Sequence, residues 1–267
     1  MAPDTLSLAG RVAIVTGSGQ EGGLGAGIAL ALTRNGAKVT LNYVSDSTEA
    51  SAYVVADKIQ AFGTQALGAA KLVKETLAGF ETDTIDILVN NAGAGIGMGT
   101  MISDLTPDQV QKAFAINNFG TLYAVQAATA HMPRGDRIVN IGTAATRMTN
   151  VRGAALYGAS KAAQEHLTTI VSAKLGPTKG IAVNTIVPGP TMTAARESDW
   201  FPAGKLRDEI LKKFAIQGKL DRFLADVANV ADAVLLVVSD HARWITGQFI
   251  SPSGGMQKDD ANENEGK

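Results

Sequence analysis

The run "YGASK" (157–161) carries the first residues whose types and spacing suggest chemistry, Tyr157 and Lys161. It lies in a helical pattern, and the i, i+4 spacing sets both side chains on one face, one turn apart. An ammonium at that separation stabilises a phenolate and lowers the phenol's pKa, making Tyr157 a usable proton donor and acceptor near neutral pH. The pair alone is unspecific. Other residues join it. Thr143 follows a strand pattern upstream of Tyr157, so its hydroxyl can reach the same site. Asn117 falls inside a helical pattern, an unfavourable place for Asn unless its amide has a task. "NNAG" (90–93) and "PGP" (188–190) each end a strand pattern. Taken singly, each residue has a plainer reading. Tyr157 and Lys161 can be solvated helix residues, and Asn117 and Thr143 can simply satisfy nearby backbone.

Such groups need an element that holds a ligand beside them. "TGSGQEGGLG" (16–25) joins a strand pattern, "RVAIVT" (11–16), to a helical one, "LGAGIALALTRNG" (24–36). Read literally, Gly17, Gly19 and Gly22 match G-x-G-x-x-G. The third glycine of that fingerprint belongs at the helix start, yet the helical pattern begins only at Leu24. In the better register Gly17 makes the turn after the strand, and Gly23 and Gly25 flank the helix entry. Backbone amides and the helix dipole there face a pyrophosphate. The alternative is a glycine-rich turn without a ligand. Glu21 is a carboxylate in an anion-binding loop, and this register turns it to solvent.

The remaining chain alternates in the same way. Strand patterns are "KVTLNY" (38–43), "TQALGA" (64–69), "IDILVNNAG" (85–93), "RIVNIG" (137–142), "IAVNTIVPG" (181–189) and "QFISPSGG" (248–255). Helical patterns cover 47–63, 71–80, 106–132, 155–176 and 226–240. Alternation of this kind implies an α/β fold, a doubly wound and mainly parallel sheet with helices on both faces. Its ligands sit at the carboxyl ends of the strands, which is where "NNAG", Thr143 and "PGP" fall.

Composition narrows the function. A length of 267 residues suits one large domain, here 1–256, with a polar, disordered tail over 257–267. A net charge of −1 argues against a nucleic-acid binder. The absence of cysteine removes disulfides, thiolate catalysis and Cys-ligated metals, and no metal site is expected. "MAPDTLSLAG" lacks a signal-peptide pattern, and no apolar run approaches the ~18 residues of a membrane span. A cytoplasmic protein is expected.

Together, the glycine loop, "NNAG", Asn117, Thr143, Tyr157-x-x-x-Lys161 and Pro188-Gly189 resemble the short-chain dehydrogenase/reductase family, from about Gly10 to Met256. "KVTLNYVSDST" and the Thr–Tyr spacing are similar to fungal reductases of polyhydroxynaphthalenes and related polyketide ketones. The resemblance implies a single-domain Rossmann sheet and an oxidoreductase that reduces a ketone to a secondary alcohol. Tyr157 would protonate the carbonyl oxygen, Thr143 would hydrogen-bond it, and Lys161 would hold the nicotinamide ribose and depress the Tyr157 pKa. Asn117 would hold a water that relays protons to Lys161. Cofactor contacts are implied for Gly17, Ser18, Gly23, Leu24 and Gly25 in the loop, and for Tyr43 and Ser45 after the second strand. Asn91, Ala92 and Gly93 follow the fourth strand, and Pro188, Gly189 and Thr191 the sixth; Tyr157 and Lys161 complete the set.

The cofactor expected is NADPH or NADP, with NAD less favoured. The acid that binds a ribose 2′-OH about 20 residues beyond the glycines is missing from "KVTLNYVS". Ser45, Ser47 and Thr48 can serve a 2′-phosphate there, or merely cap the next helix, as Asp46 with Glu49 can. Gln20-Glu21 stands where the family often has a basic residue, which weakens that preference. The family's lid corresponds to about 190–224, where Met192, Trp200, Phe201, Phe214 and Phe223 suit a bulky, aromatic or polyketide-like ketone. Residues 70–84 are shorter than the family pattern, and the Asp-Val that contacts adenine is absent. By resemblance the protein is a homo-oligomer, tetramer or dimer, with a small-molecule ketone as substrate. Two other readings stay open: a nucleotide-binding protein without turnover, and a fold recruited to non-redox secondary-metabolite chemistry.

Overall fold

A computed structural model describes residues 6–43, 51–52, 54–55, 63–65, 68–147, 154–193 and 224–255. Seven strands form one parallel sheet in the order β3-β2-β1-β4-β5-β6-β9. They are β1 (Val12–Val15), β2 (Lys38–Tyr43), β3 (Gly63–Gln65), β4 (Ile87–Asn90), β5 (Arg137–Ile141), β6 (Ala182–Ile186) and β9 (Phe249–Ile250). The order reverses at β1, so the carboxyl ends of β1 and β4 flank the crevice where such sheets bind ligands.

The central strands β1, β4, β5 and β6 are buried at every position because both faces are covered. In β1, Ala13 and Val15 point to one core while Ile14 points to the other. In β5, Val139 and Ile141 face the first core and Ile138 the second. Helices α1 (Leu24–Arg34) and α6 (Val227–Val238) cover the first face, with Ile28, Leu32, Val230 and Val234 buried. The second face packs α2 (Gly68–Gly79) and α4 (Gly120–Ala128), through Leu72, Val73, Ala124, Val125 and Ala128. Among the described residues no helix is long and apolar enough to cross a membrane.

Several elements differ from the sequence expectation. The third strand covers Gly63–Gln65 instead of 64–69, and Gly68 and Ala69 open α2. The shortened crossover still closes the sheet, because β3 pairs in parallel with β2 from Leu41↔Gly63 to Tyr43↔Gln65. The helical stretch 106–132 resolves into α3 (Pro107–Phe114), a π-turn (Ala115–Phe119) and α4. Thr106 opens α3 with a capping box to Gln109. Helix α5 (Ala155–Lys179) runs past Gly176 and Pro177 to Gly180, whose φ of 65° supplies the left-handed stop. Pro177 so near the end costs the helix a single hydrogen bond. A short parallel ribbon, β7 (Thr191–Met192) with β8 (Ala225–Asp226), brings together the two ends of 194–223. The aromatic residues expected of the lid, Ser45, residues 47–50 of the second helical pattern and the C-terminal tail lie outside the described residues.

Ile138, fully buried in the second core, tests this arrangement. Ile138→Ala should destabilise the fold by about 2–5 kcal/mol, read as an earlier urea midpoint with an unchanged slope. An unaltered midpoint would contradict the two-faced packing.

Candidate active site

The glycine loop is built by close approach of backbone. Gly17 has φ +63°, and a Cβ there would lie 2.8 Å from Cα of Ala92. At Gly25 a Cβ would lie 2.5 Å from the Gly17 carbonyl oxygen and 2.6 Å from Nδ2 of Asn91. Gly25 is therefore the glycine that lets α1 close onto the strand end, and Gly23 is the N-cap, with no side-chain cap. No acid occupies the first turn of α1. The first-turn amides keep their positive end at the sheet edge, which fits an anionic pyrophosphate.

Two implied contact residues are spent inside the loop. Ser18 is fully buried; its hydroxyl donates to Val15 O (2.7 Å) and accepts from Asn42 N–H (3.0 Å), and its own N–H donates to Asn42 O (2.8 Å). It shapes the loop base, with both of its hydrogen-bond donors spent on backbone. Tyr43 is buried at the end of β2, its Cβ 2.5 Å from where a Cβ on Gly19 would stand. Gln20, Glu21 and Gly22 are exposed, so Glu21 lies where the sequence register puts it, with its N–H donating to Ser51 Oγ (2.8 Å).

Asn91 ties this loop to the next strand end. Its Nδ2 donates to the carbonyls of Thr16 (2.9 Å) and Gly17 (3.0 Å), while Oγ1 of Thr16 accepts from the N–H groups of Asn91 and Ala92 (both 3.0 Å). Beyond it, Gly93 lies exposed over the catalytic candidates. A Cβ there would come 3.1 Å from Nζ of Lys161 and 3.3 Å from Oδ1 of Asn117. Pro188 O accepts from Ala144 N–H (2.9 Å), joining the β6 edge to the turn after Thr143. Gly189 packs against Ser253, and Thr191 is buried, with Oγ1 on Gly189 O (2.9 Å).

Asn117 sits in the π-turn, fully buried. Its Oδ1 accepts from Ala94 N–H (2.8 Å), and its Nδ2 donates to Ala94 O (3.0 Å) and Ser160 Oγ (2.9 Å). The amide thus clamps the "NNAG" loop to α5, and the wide turn that aims it is of a kind found often at functional sites. Both N–H donors of that amide are engaged, so a water beside the side chain would have to donate to the second lone pair of Oδ1.

The Thr143 hydroxyl lies close enough to the Tyr157 phenol to act on its ionisation. Burial pushes the Tyr157 phenol up to about 12, the Thr143 hydroxyl lowers it in part, and the Glu165 carboxylate raises it further. The depressed phenol expected from an i, i+4 ammonium is therefore not what the fold produces. The Lys161 amine is turned elsewhere, donating to Ile141 O (2.8 Å) and Oε1 of Gln164 (2.9 Å). Burial lowers Lys161 to about 8, against an opposing pull from Glu165. Gln164, Ser160 and Glu165 are partners that the sequence reading passed over. A polar residue three or four positions after Lys161 on the same face was the available signal. Among the described residues no group of His, Asp or Glu is placed to hold a metal.

A family model described as enoyl-(acyl carrier protein) reductase matches residues 17–257. The chain belongs to the short-chain dehydrogenase/reductase family. Among curated members of this family it is 34% identical to versicolorin reductase 1 of Aspergillus parasiticus, over 94% of this chain and 98% of that one. Among solved structures, the angucycline C-6 ketoreductase LanV with bound NADP is 30% identical, with a TM-score of 0.81 over 94% of this chain and 96% of that one. A short-chain dehydrogenase from Burkholderia cenocepacia J2315 in complex with NADP is 32% identical, with a TM-score of 0.81 over 93% and 98% of the two chains. The short-chain reductase resemblance and the doubly wound sheet read from sequence therefore both hold.

Gly25→Val should force the α1 entry away from Gly17, costing about 1–3 kcal/mol. Thermal denaturation would register this as a lower midpoint; a wild-type midpoint would show that Gly25 is not the contact glycine.

Proposed function

We propose that the protein is an NADPH-dependent carbonyl reductase that converts a bulky ketone, aromatic or polyketide-like, into a secondary alcohol. The carrying observation is the convergence at the sheet's ligand edge of buried Lys161 and Asn117 beneath Gly93, with Tyr157 one helical turn before Lys161 and Thr143 near its phenol. When bound, NADPH supplies the hydride for the carbonyl carbon and leaves as NADP.

The chain's own residues do the rest. Tyr157 keeps its proton through neutral pH, so it can donate to the carbonyl oxygen as that oxygen gains charge. The Thr143 hydroxyl donates a hydrogen bond to the same oxygen and orients it. Lys161 is held against Gly93, where it would meet the ribose, and its lowered pKa suits it to pass a proton on. Gly17, Gly23, Leu24 and Gly25 would hold the pyrophosphate, and Asn91, Ala92, Gly93, Pro188, Gly189 and Thr191 would line the nicotinamide side. The preference for NADPH rests on the lack of an acid at the end of β2, where Tyr43 stands, and on the NADP bound to LanV and to the Burkholderia protein.

Tyr157→Phe should lower ketone turnover by roughly 10²-fold or more while leaving NADPH affinity intact. Steady-state rates beside calorimetric binding separate the two, and wild-type turnover in this variant would remove Tyr157 as the acid. The raised phenol also sets a sign. Ketone reduction needs the protonated form, present below about 12, so its rate should show no loss from Tyr157 across neutral pH. Alcohol oxidation needs the phenolate and should climb steadily with pH.

A homo-oligomer is part of this proposal. Val110, Ile116, Phe119, Leu122 and Tyr123 are exposed along α3, the π-turn and α4, and Leu236, Trp244 (96%), Ile245 and Phe249 are exposed between α6 and β9 and on those elements. Apolar surface of that kind marks an interface. Sedimentation should give a dimer or tetramer; a monomer at micromolar concentration would count against it.

A further inference from the structure

Glu165 follows Lys161 by one turn of α5 and Tyr157 by two, so all three share a face. Its residue is only 5% exposed, and a carboxylate that deep needs partners. Its polar partners come from the turn that follows β5. Oε1 accepts from Thr143 N–H (3.4 Å), and the single hydroxyl proton of Thr146 lies within reach of both carboxylate oxygens (3.1 and 3.2 Å) and of Thr143 O (2.9 Å). Nη2 of Arg147 pairs with Oε2 at 3.0 Å. The backbone closes directly onto this carboxylate, since a Cβ on Gly142 would lie 2.6 Å from Oε1. Arg147 then stacks over the Phe249 ring in β9, 5.2 Å from its centroid.

The two hydroxyls that would meet the carbonyl oxygen stand on different elements, Tyr157 on α5 and Thr143 on the turn. Nothing in the chemistry above uses Glu165 to move a proton. We propose that Glu165 is a positioning residue that clamps the turn bearing Thr143 onto the helix bearing Tyr157, and so sets the spacing of the two hydroxyls. The proposal rests on the reading of Tyr157 as acid. Productive geometry is sensitive at this scale, because an ångström of misplacement costs rate even when binding survives. The carboxylate also acts through charge. Among the described residues, Lys161 and Glu165 share the α5 face with Tyr157 and Arg147 pairs with Glu165; of these, the Glu165 carboxylate holds the phenol's proton on.

The test uses Glu165→Gln, Arg147→Ala and Tyr157→Phe in the full chain. Tyr157 is titrated by phenolate ultraviolet absorbance, as the difference between each protein and its Tyr157→Phe counterpart, and turnover is followed with NADPH and α-tetralone. Glu165→Gln should move the Tyr157 midpoint down by about half a pH unit or more as a nearby negative charge is lost. It should also cut kcat about tenfold with the NADPH KM changed less than about twofold. Thermal denaturation checks that Arg147→Ala stays folded once the partly exposed Arg147 is removed from Glu165; Arg147→Ala should move the midpoint up, since it unmasks the carboxylate. Opposite shifts in the two variants are the signature that a merely structural contact would not give. Coincident midpoints, or a kcat loss matched by loss of NADPH affinity, would overturn the proposal. Persistent turnover in Tyr157→Phe would instead defeat the reading of the acid and leave the titration to judge the clamp.

Discussion

Everything at this site depends on helix α5 being held in register over the carboxyl edge of the sheet. Apolar packing cannot do that alone, because aliphatic contacts tolerate sliding. A buried polar chain fixes it instead. Asn90 donates to Asn140 (2.8 Å), Asn140 to Thr168 on α5 (2.8 Å), and Thr168 shares a proton with Thr185 on β6 (2.6 Å). These groups are buried, so slipping the helix by a turn would break both bonds of Thr168 and leave its hydroxyl, the Asn140 amide N–H and the Thr185 hydroxyl unpaired at about 1–3 kcal/mol each. Directional bonds of this kind specify one arrangement. With α5 so placed, Tyr157 faces Thr143, Lys161 lies under Gly93, and Ser160 meets Asn117.

The second constraint is electrostatic. Lys161 and Glu165 lie one turn apart, each buried; Lys161 is met by the Ile141 carbonyl on β5 and by Gln164 on its own helix, and Glu165 by Arg147 on the turn after β5. Burial destabilises both charged forms. The fold accepts that because the carbonyl of Ile141, the Gln164 amide, the Thr146 hydroxyl and Arg147 are already in place. Preorganised polar groups of this kind need little rearrangement when charge develops on a substrate. The same logic explains the glycine loop, where Ser18 and Asn91 spend their hydrogen bonds on backbone so that the first-turn amides of α1 stay available.

Much of this was legible in the sequence, and the exceptions have physical causes. Strand–helix alternation and its carboxyl-edge rule located the glycine loop, "NNAG", Thr143 and Pro188-Gly189 on one edge, because buried parallel strands leave an unmistakable apolar period. The Tyr157–Lys161 spacing put two side chains on one face but said nothing of where the amine turns. That depends on Gln164 and the Ile141 carbonyl, the second of them distant in sequence. The π-turn at Ala115–Phe119 was invisible because it is a defect in a helical period, hinted at only by an Asn in the interior. Ser18 was read as a ligand contact from its position in the loop, whereas tertiary pairing with Asn42 and Val15 claims it.

A crystal structure of the complex with NADP and a ketone analogue measures the central claim most directly. The account predicts the pyrophosphate at the N-terminus of α1 and the analogue's oxygen within hydrogen-bond reach of both the Tyr157 and Thr143 hydroxyls. A dinucleotide bound elsewhere, or a phenol turned away from that oxygen, would contradict it.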